Sequence, residues 1–540
     1  MLAPTTTKQR GNTGPLIWSV PPMLIAASTI ILWRWLQYYI DPDAISYLHI
    51  VEEYLAGHTQ NAINAFWSPL GIWGTVMVAK LGGLPVFASA IIFNSIGCIS
   101  TWFTAQCIFQ KFRDNNLERW CFAVGHALFL SYVVYYQSFT DIWLCCFLNA
   151  SFLVIIKENF YRQPFLWFMA GLFGALALFG KAYAFVFFPT MLLVVNYLQL
   201  RYNHKYNLRN WLLPIVVSFL VMLVIISPWV WLLHQKYHIW TYSTAGTLNM
   251  KWYLVGTQEF KDGVTVLAPP PYPGSLFYFE DPFLIQGGAD IHFYSSFSFF
   301  IKFLLRISYN VINWVASTGR ISAFYCSVWI LAILLLFKKG SIVSQHKNLA
   351  ITTSVFLLFP LPYWVLTFDG GRYLWFTIPF FAILGLSYAQ QFLFPYFSAL
   401  GKKIFVFVFC ASLVVTPVAD LKSMWRGGFA EKEQATMLRK LGIKGSFATN
   451  TSYADGAIGL TRLSWFSHNP WYCHTLNKYT TEEILADAKR YGVKYYFYLY
   501  EGNNNDYQLT APNGLPLPDL AQGQIPGLKV FSIAAYFGEK

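Results

Sequence analysis

Eleven apolar runs set the terms on which this 540-residue chain can fold, at about 16–36, 85–109, 119–136, 138–157, 164–181, 182–200, 211–233, 319–337, 349–367, 372–392 and 403–419. A helix of about 20 residues crosses the roughly 30 Å hydrocarbon core of a bilayer. Lipid offers no hydrogen bonds, so each such run must satisfy its own backbone, which a helix does. The expected fold is therefore an all-α polytopic membrane protein with about eleven transmembrane helices. Composition agrees: 56% of residues are hydrophobic and 12% charged, against about 45–50% and about 25% in soluble domains. A net charge of +13 would suggest nucleic acid in a soluble protein. Here the basic residues lie in short connections between apolar runs, so no nucleic-acid partner is expected.

Those connections fix an orientation. With the N-terminus inside, the inside segments carry Lys8 and Arg10; Lys111, Arg113 and Arg119; Lys157 and Arg162; Arg201, Lys205 and Arg209; Lys338, Lys339 and Lys347; and Lys402 and Lys403. The short outside connections carry only Lys181 and Arg372. This is the positive-inside asymmetry, and it predicts a multi-pass protein of the cytoplasmic (inner) membrane. The stretch 69–81 is apolar but short, as for a re-entrant or surface helix; counted as a span, it would put several basic loops outside. No small-residue cleavage site follows the first run, which reads as a retained anchor.

Residues 1–419 then form the membrane module, with a first external loop at 37–84 and a large external loop at 234–318. Residues 420–540 form a small extracytoplasmic α/β domain. In this tail, Thr480-Thr481-Glu482-Glu483 has capping-box spacing and predicts a helix to about Tyr491, stopped by Gly492. Val493–Tyr500 and Ser446–Thr449 read as strands. Of eight cysteines, only Cys473 falls in the tail, which excludes an internal disulfide there.

With the topology set by the inside loops, Asp41, Asp43, His49, Asp141, Lys181, Asp369 and Arg372 all fall at the outside ends of spans. Ionisable groups at membrane depth are costly and mark functional sites by default. Bland readings stand beside each one. Asp41 or Asp43 can cap a helix, Lys181 can snorkel, Asp141 can face a helix dipole, and Asp369 can pair with Arg372 across the Gly370-Gly371 turn. Ala44–Ala56 is amphipathic and suits the membrane surface, which would hold Asp41-Pro42-Asp43 at headgroup level.

Group transfer from a lipid-linked phosphate suits this inventory. Nucleotide donors stay in the cytoplasm, so an enzyme acting outside needs a donor that crosses on a lipid. A phosphate leaving group needs cations, for which Lys181 and Arg372 serve. An acceptor hydroxyl needs a carboxylate base, for which Asp43 or Asp41 serves. Asp41 and Asp43 also offer oxygen ligands to a divalent cation, with too few further oxygen ligands nearby to assign a metal.

Several motifs carry a resemblance. They are Asp41-Pro42-Asp43-Ala44-Ile45-Ser46-Tyr47-Leu48, Asn64-Ala65-Phe66-Trp67-Ser68-Pro69-Leu70, Ser138-Phe139-Thr140-Asp141, Gly180-Lys181-Ala182, and Gly371-Arg372-Tyr373-Leu374 with Pro379. Spread over about 41–379, they resemble the membrane-embedded GT-C glycosyltransferases, in the branch of the protein O-mannosyltransferases and the lipid A aminoarabinose transferase. The resemblance implies an acidic catalytic base in the first external loop, Asp43 or Asp41, and inversion at the anomeric carbon; Asp43 is favoured because it starts the amphipathic helix. It implies donor-phosphate binding by Lys181 and Arg372, with Arg34 near the outer end of the first span as an addition; His49, Asp141 and Asp369, placed at the same span ends by the topology, are supporting candidates. The implied partners are a polyprenyl-phosphate sugar donor, membrane lipids, and a lipid, glycan or protein acceptor. Asp-Pro-Asp replaces the Asp-Glu pair of the protein O-mannosyltransferases, which leaves the acceptor open. A transporter or flippase, and a glycan ligase or polymerase, are the alternatives. A transporter commonly shows repeated halves and midplane charges, and this sequence shows neither.

Overall fold

A computed structural model describes residues 14–136, 139–255, 266–287, 292–338, 340–368, 370–474, 478–500 and 506–539. Each of the eleven apolar runs contains a helix among its described residues. Among the described residues, seven helical segments are long and apolar enough to cross a membrane: Leu16–Leu36, Val86–Phe112, Ala184–Tyr202, Leu208–Tyr237, Lys347–Val365, Gly371–Phe392 and Ala399–Lys440. Asp141–Ile155, Pro164–Gly180 and Tyr325–Phe337 are shorter apolar helices, and Asn116–Tyr136 is a further helix packed against the first span. The chain is a polytopic membrane protein built on this bundle.

Some runs are less regular than their hydropathy suggests. The segment expected at 349–367 is interrupted after Leu358 and resumes at Leu361–Val365, because Pro360 and Pro362 withhold backbone N–H donors. The segment expected at 372–392 starts as a tight 3-10 helix, Gly371–Thr377, before the α-helix Ile378–Phe392. The short apolar stretch forms the 14-residue helix Pro69–Gly82, only about 21 Å long at 1.5 Å per residue. It packs against Pro42–Ala56, Val86–Phe112 and Pro164–Gly180.

The described residues of 234–318 are not all loop. It contains the helices Ala245–Val255 and Phe297–Thr318. The second is strongly amphipathic: Phe297, Leu305 and Ile312 are exposed, while Asn310, Trp314 and Thr318 are buried.

The tail forms a three-stranded sheet of β1 (Phe447–Thr449), β2 (Tyr495–Leu499) and β3 (Leu528–Ser532), in that order. β1 and β2 are parallel, with Phe447 opposite Tyr495, and β2 and β3 are antiparallel, with Phe497 opposite Val530. The capping box forms at Thr480 and Glu483 and starts the helix Thr481–Arg490. Gly492 follows it with φ +66°, which glycine adopts without steric cost. The external segment is woven into this domain. Ala268 bridges Cys473, the Trp471 N–H donates to the Leu276 carbonyl at 2.7 Å, and the Leu267 N–H donates to Asp487 at 2.8 Å. The tail is thereby fixed to this segment.

Candidate active site

The Asp-Pro-Asp turn follows the first span by four residues and opens the helix Pro42–Ala56. Asp41 is extended (φ −75°, ψ 148°), and its Oδ1 accepts the Asp43 N–H at 3.0 Å. Asp41 is thus the N-cap of this helix, and Pro42 takes the first helical position, where a missing N–H costs nothing. Burial, then the neighbouring Asp43 carboxylate, push the Asp41 pKa up to about 6, against the pull of Arg372. Asp43 points the other way, into a cavity. Its Oδ2 lies 3.4 Å from Arg372 Nη1 and 3.5 Å from Nη2.

A second pair lies beside the first. Asp141 opens the helix Asp141–Ile155, and Lys181 is the first residue past Pro164–Gly180. Gly180 approaches the partner helix so closely that a Cβ there would lie 3.0 Å from the Leu144 nitrogen. This approach delivers Lys181 to Asp141, and the two form an ion pair. The Lys181 ammonium also sits 4.0 Å over the Tyr373 ring, and the Arg372 guanidinium lies 5.4 Å from the same ring. Tyr373 therefore serves two cations with one π-face system.

Asp43, Asp141, Lys181 and Arg372 line a single cavity of about 730 Å³, a size typical of small-molecule sites. One wall is aromatic: Tyr47, Phe66, Trp67, Trp252 and Phe279. Another is polar, with Thr241, Ser243, Thr247 and Asn249. Trp252 and Phe279 come from the large external segment and stack at 5.6 Å.

Arg306 also lines this cavity and was not foreseen. Its Nη2 donates to Thr367 Oγ1 at 2.7 Å, and its guanidinium lies 4.9 Å over Tyr253 and 5.4 Å from Tyr309. The signal that could have found it is Lys302 and Arg306, four apart on a helix otherwise crowded with aromatics, which puts both on one face.

Asp41, His49 and Arg34, three of the expected residues, do not line the cavity. His49 is buried on the far side of its helix, with Nδ1 2.8 Å from Glu280 Oε2. A helix that turns Asp43 inward carries His49, six positions on, to another face. Arg34 is exposed in the last turn of the first span and does not line the cavity. Asp369 lies outside the described residues, as do Ser138, Lys8 and Arg10. Among the described residues, no three His, Cys, Asp or Glu side chains converge as a metal site would require.

A helical membrane bundle, helices between its first two long spans, and a tail packed over charged span ends make up the fold. Two sets of solved structures share it across nearly the whole chain. ArnT from Cupriavidus metallidurans, bound to undecaprenyl phosphate, matches at 11% identity and a TM-score of 0.50, over 98% of this chain and 100% of that one. The apo oligosaccharyltransferase of Archaeoglobus fulgidus matches at 12% identity and a TM-score of 0.53, over 96% of this chain and 76% of that one. The same archaeal enzyme, in complex with an inhibitory peptide and a dolichol-phosphate, matches at 12% identity and 0.51, over 89% and 69%. No family model matches the chain, and no curated protein matches it. The fold is the one that the sequence motifs imply.

Proposed function

We propose that this protein is an inverting glycosyltransferase that moves a sugar from a polyprenyl-phosphate donor to an acceptor hydroxyl on the outer face of the cytoplasmic membrane. The observation that carries this reading is Asp43, Arg372 and the Lys181–Asp141 pair lining one cavity. The undecaprenyl phosphate and dolichol-phosphate bound in the structural neighbours support a lipid phosphate as the donor class. The same reading divides the chain into a catalytic membrane module, 1–419, and an extracytoplasmic tail, 420–540.

Asp43 is the base. It faces the cavity, whereas Asp41 spends an oxygen on the helix cap. Asp43 takes the proton of the acceptor hydroxyl. The acceptor oxygen forms its bond to the anomeric carbon as the bond to the phosphate oxygen breaks, with inversion. The electron pair leaves with the lipid phosphate, a stable anion that needs cations and no general acid. Arg372 and Arg306 meet it with guanidinium forks suited to phosphate, and Lys181, held by Asp141, adds a point charge. The Asp43–Arg372 contact is long and partly exposed. Such pairs contribute about 0–1 kcal/mol, so a phosphate with two or three acceptor oxygens displaces Asp43 from Arg372 and frees it for the acceptor. The aromatic wall suits the apolar faces of sugar rings.

The test uses wild-type protein and Asp43→Asn, both purified in detergent and incubated with polyprenyl-phosphate sugars extracted from the source membranes. Release of polyprenyl phosphate by the wild type, with a loss of about 100-fold or more in the variant, supports the assignment. Equal release by both removes Asp43 from the role. No release from any donor removes the glycosyltransfer reading and returns weight to transport.

A further inference from the structure

We propose that Arg462, in the tail helix Tyr453–Ser467, is a positioning residue that fixes the Asp41-Pro42-Asp43 turn. The proposal rests on the glycosyltransfer reading and assigns the tail a part in it. Arg462 is only 5% exposed. Its Nε donates to the Ile40 carbonyl at 2.7 Å, across 422 residues of sequence. Ile40 immediately precedes the capping Asp41, so this bond holds the backbone from which both carboxylates hang. The guanidinium lies 4.9 Å from the centre of the Tyr39 ring, and Nη1 is 3.6 Å from Glu431 Oε1.

Other tail contacts grip the same stretch without using Arg462. The Arg426 N–H donates to the Trp35 carbonyl at 3.2 Å, and Trp35 stacks on Trp425 at 4.7 Å. Tyr38 packs edge-on against Phe429 at 4.8 Å and Phe466 at 5.9 Å. Gly428 has φ +85°, and a Cβ there would fall 1.8 Å from the Tyr38 carbonyl oxygen, a distance no side chain tolerates. These contacts keep the tail docked when Arg462 is changed. Losing Arg462 therefore loosens Ile40 and Asp41 locally and leaves the assembly in place.

Arg462 also acts by charge. The groups that face Asp41 are Asp43, Arg372 and Arg462, with Tyr39 and Tyr453 close by. Arg372 and Arg462 oppose the upward push that burial and Asp43 exert on Asp41. A substitution that merely loosened packing would leave this electrostatic balance alone, which gives the proposal a specific signature.

Arg462→Ala, Arg462→Lys and wild type are compared for polyprenyl-phosphate release over pH 5–9, using the donor fraction extracted from source membranes. Thermal stability and limited proteolysis report tail docking. The expected result for Arg462→Ala is a docked tail, a kcat about 10-fold or more lower, and a donor KM within about threefold. Its acid limb moves to higher pH, because a positive charge beside the carboxylate pair is gone. Arg462→Lys restores the limb and part of kcat. Wild-type kcat and an unmoved limb in Arg462→Ala overturn the proposal while the parent reading stands. Equal kcat losses in both variants with neither limb moved also overturn it, leaving a packing role only. A wild type that releases nothing removes the parent reading and this inference together.

Discussion

Arg372 reaches Asp43 across 329 positions of sequence, with Nη1 3.4 Å from Oδ2, and the contact closes one side of the candidate cavity. The long distances make it a pair that ligand can reorganise. Charge-assisted hydrogen bonds are worth about 1.5–3 kcal/mol when well made. Arg372→Gln is therefore expected to weaken undecaprenyl phosphate binding by about 10-fold or more, read by titration of the detergent-solubilised protein. Arg306→Gln is expected to weaken it similarly. Unchanged affinity in both variants would take the phosphate out of this cavity.

Asp41 and Asp43 are two positions apart and face different ways, so their substitutions should differ. Asn caps a helix about as well as Asp. Asp41→Asn should keep the Pro42–Ala56 helix and most of the activity that Asp43→Asn abolishes. The Asp41 carboxyl, pushed up to about 6, is gone from this variant, so an inflection of the pH–rate profile near pH 6 should go with it. A 100-fold loss in Asp41→Asn would instead make Asp41 the base.

The Lys181–Asp141 pair predicts an asymmetry between single and double changes. Asp141 is 2% exposed, and breaking a buried pair from one side costs about 3–5 kcal/mol. Asp141→Asn should lower Tm in detergent by several degrees. The double variant Lys181→Met with Asp141→Leu should regain much of that stability, yet stay inactive for want of the cation. Recovery of release by the double variant would show that Lys181 does not serve the phosphate.

His49 and Glu280 are expected to make stability depend on pH. Burial works against the charged imidazole, but the Glu280 carboxylate outweighs it and carries the His49 pKa up to about 9. A base whose folded pKa is raised contributes stability that is complete below its unfolded value, about 6.5, and is lost as pH rises through 9. Tm should fall between pH 7 and 10 in wild type, and His49→Gln should flatten that slope. Parallel slopes in the two proteins would assign the dependence elsewhere.

Much of this protein is determined locally. A run of about twenty apolar residues is a helix in lipid whatever surrounds it, because the backbone has no other partner. The Thr480–Glu483 capping box forms where its spacing puts it, since its hydrogen bonds span three residues. Pro42 and Asp41 begin a helix for similar reasons. Charge at span ends likewise singled out Asp43, Asp141, Lys181 and Arg372, because ionisable groups near lipid are costly enough to be few. What the sequence left open depends on direction and on distance along the chain. His49 shares a helix with Asp43 but turns away to Glu280, and no spacing rule says which face meets the cavity. Arg306 lies in a segment whose aromatics mask its helical period. Arg462 finds Ile40 only once the tail has folded back on the first span. The apolar pattern decides what the chain must bury, and packing between distant segments decides which buried or half-buried charges meet.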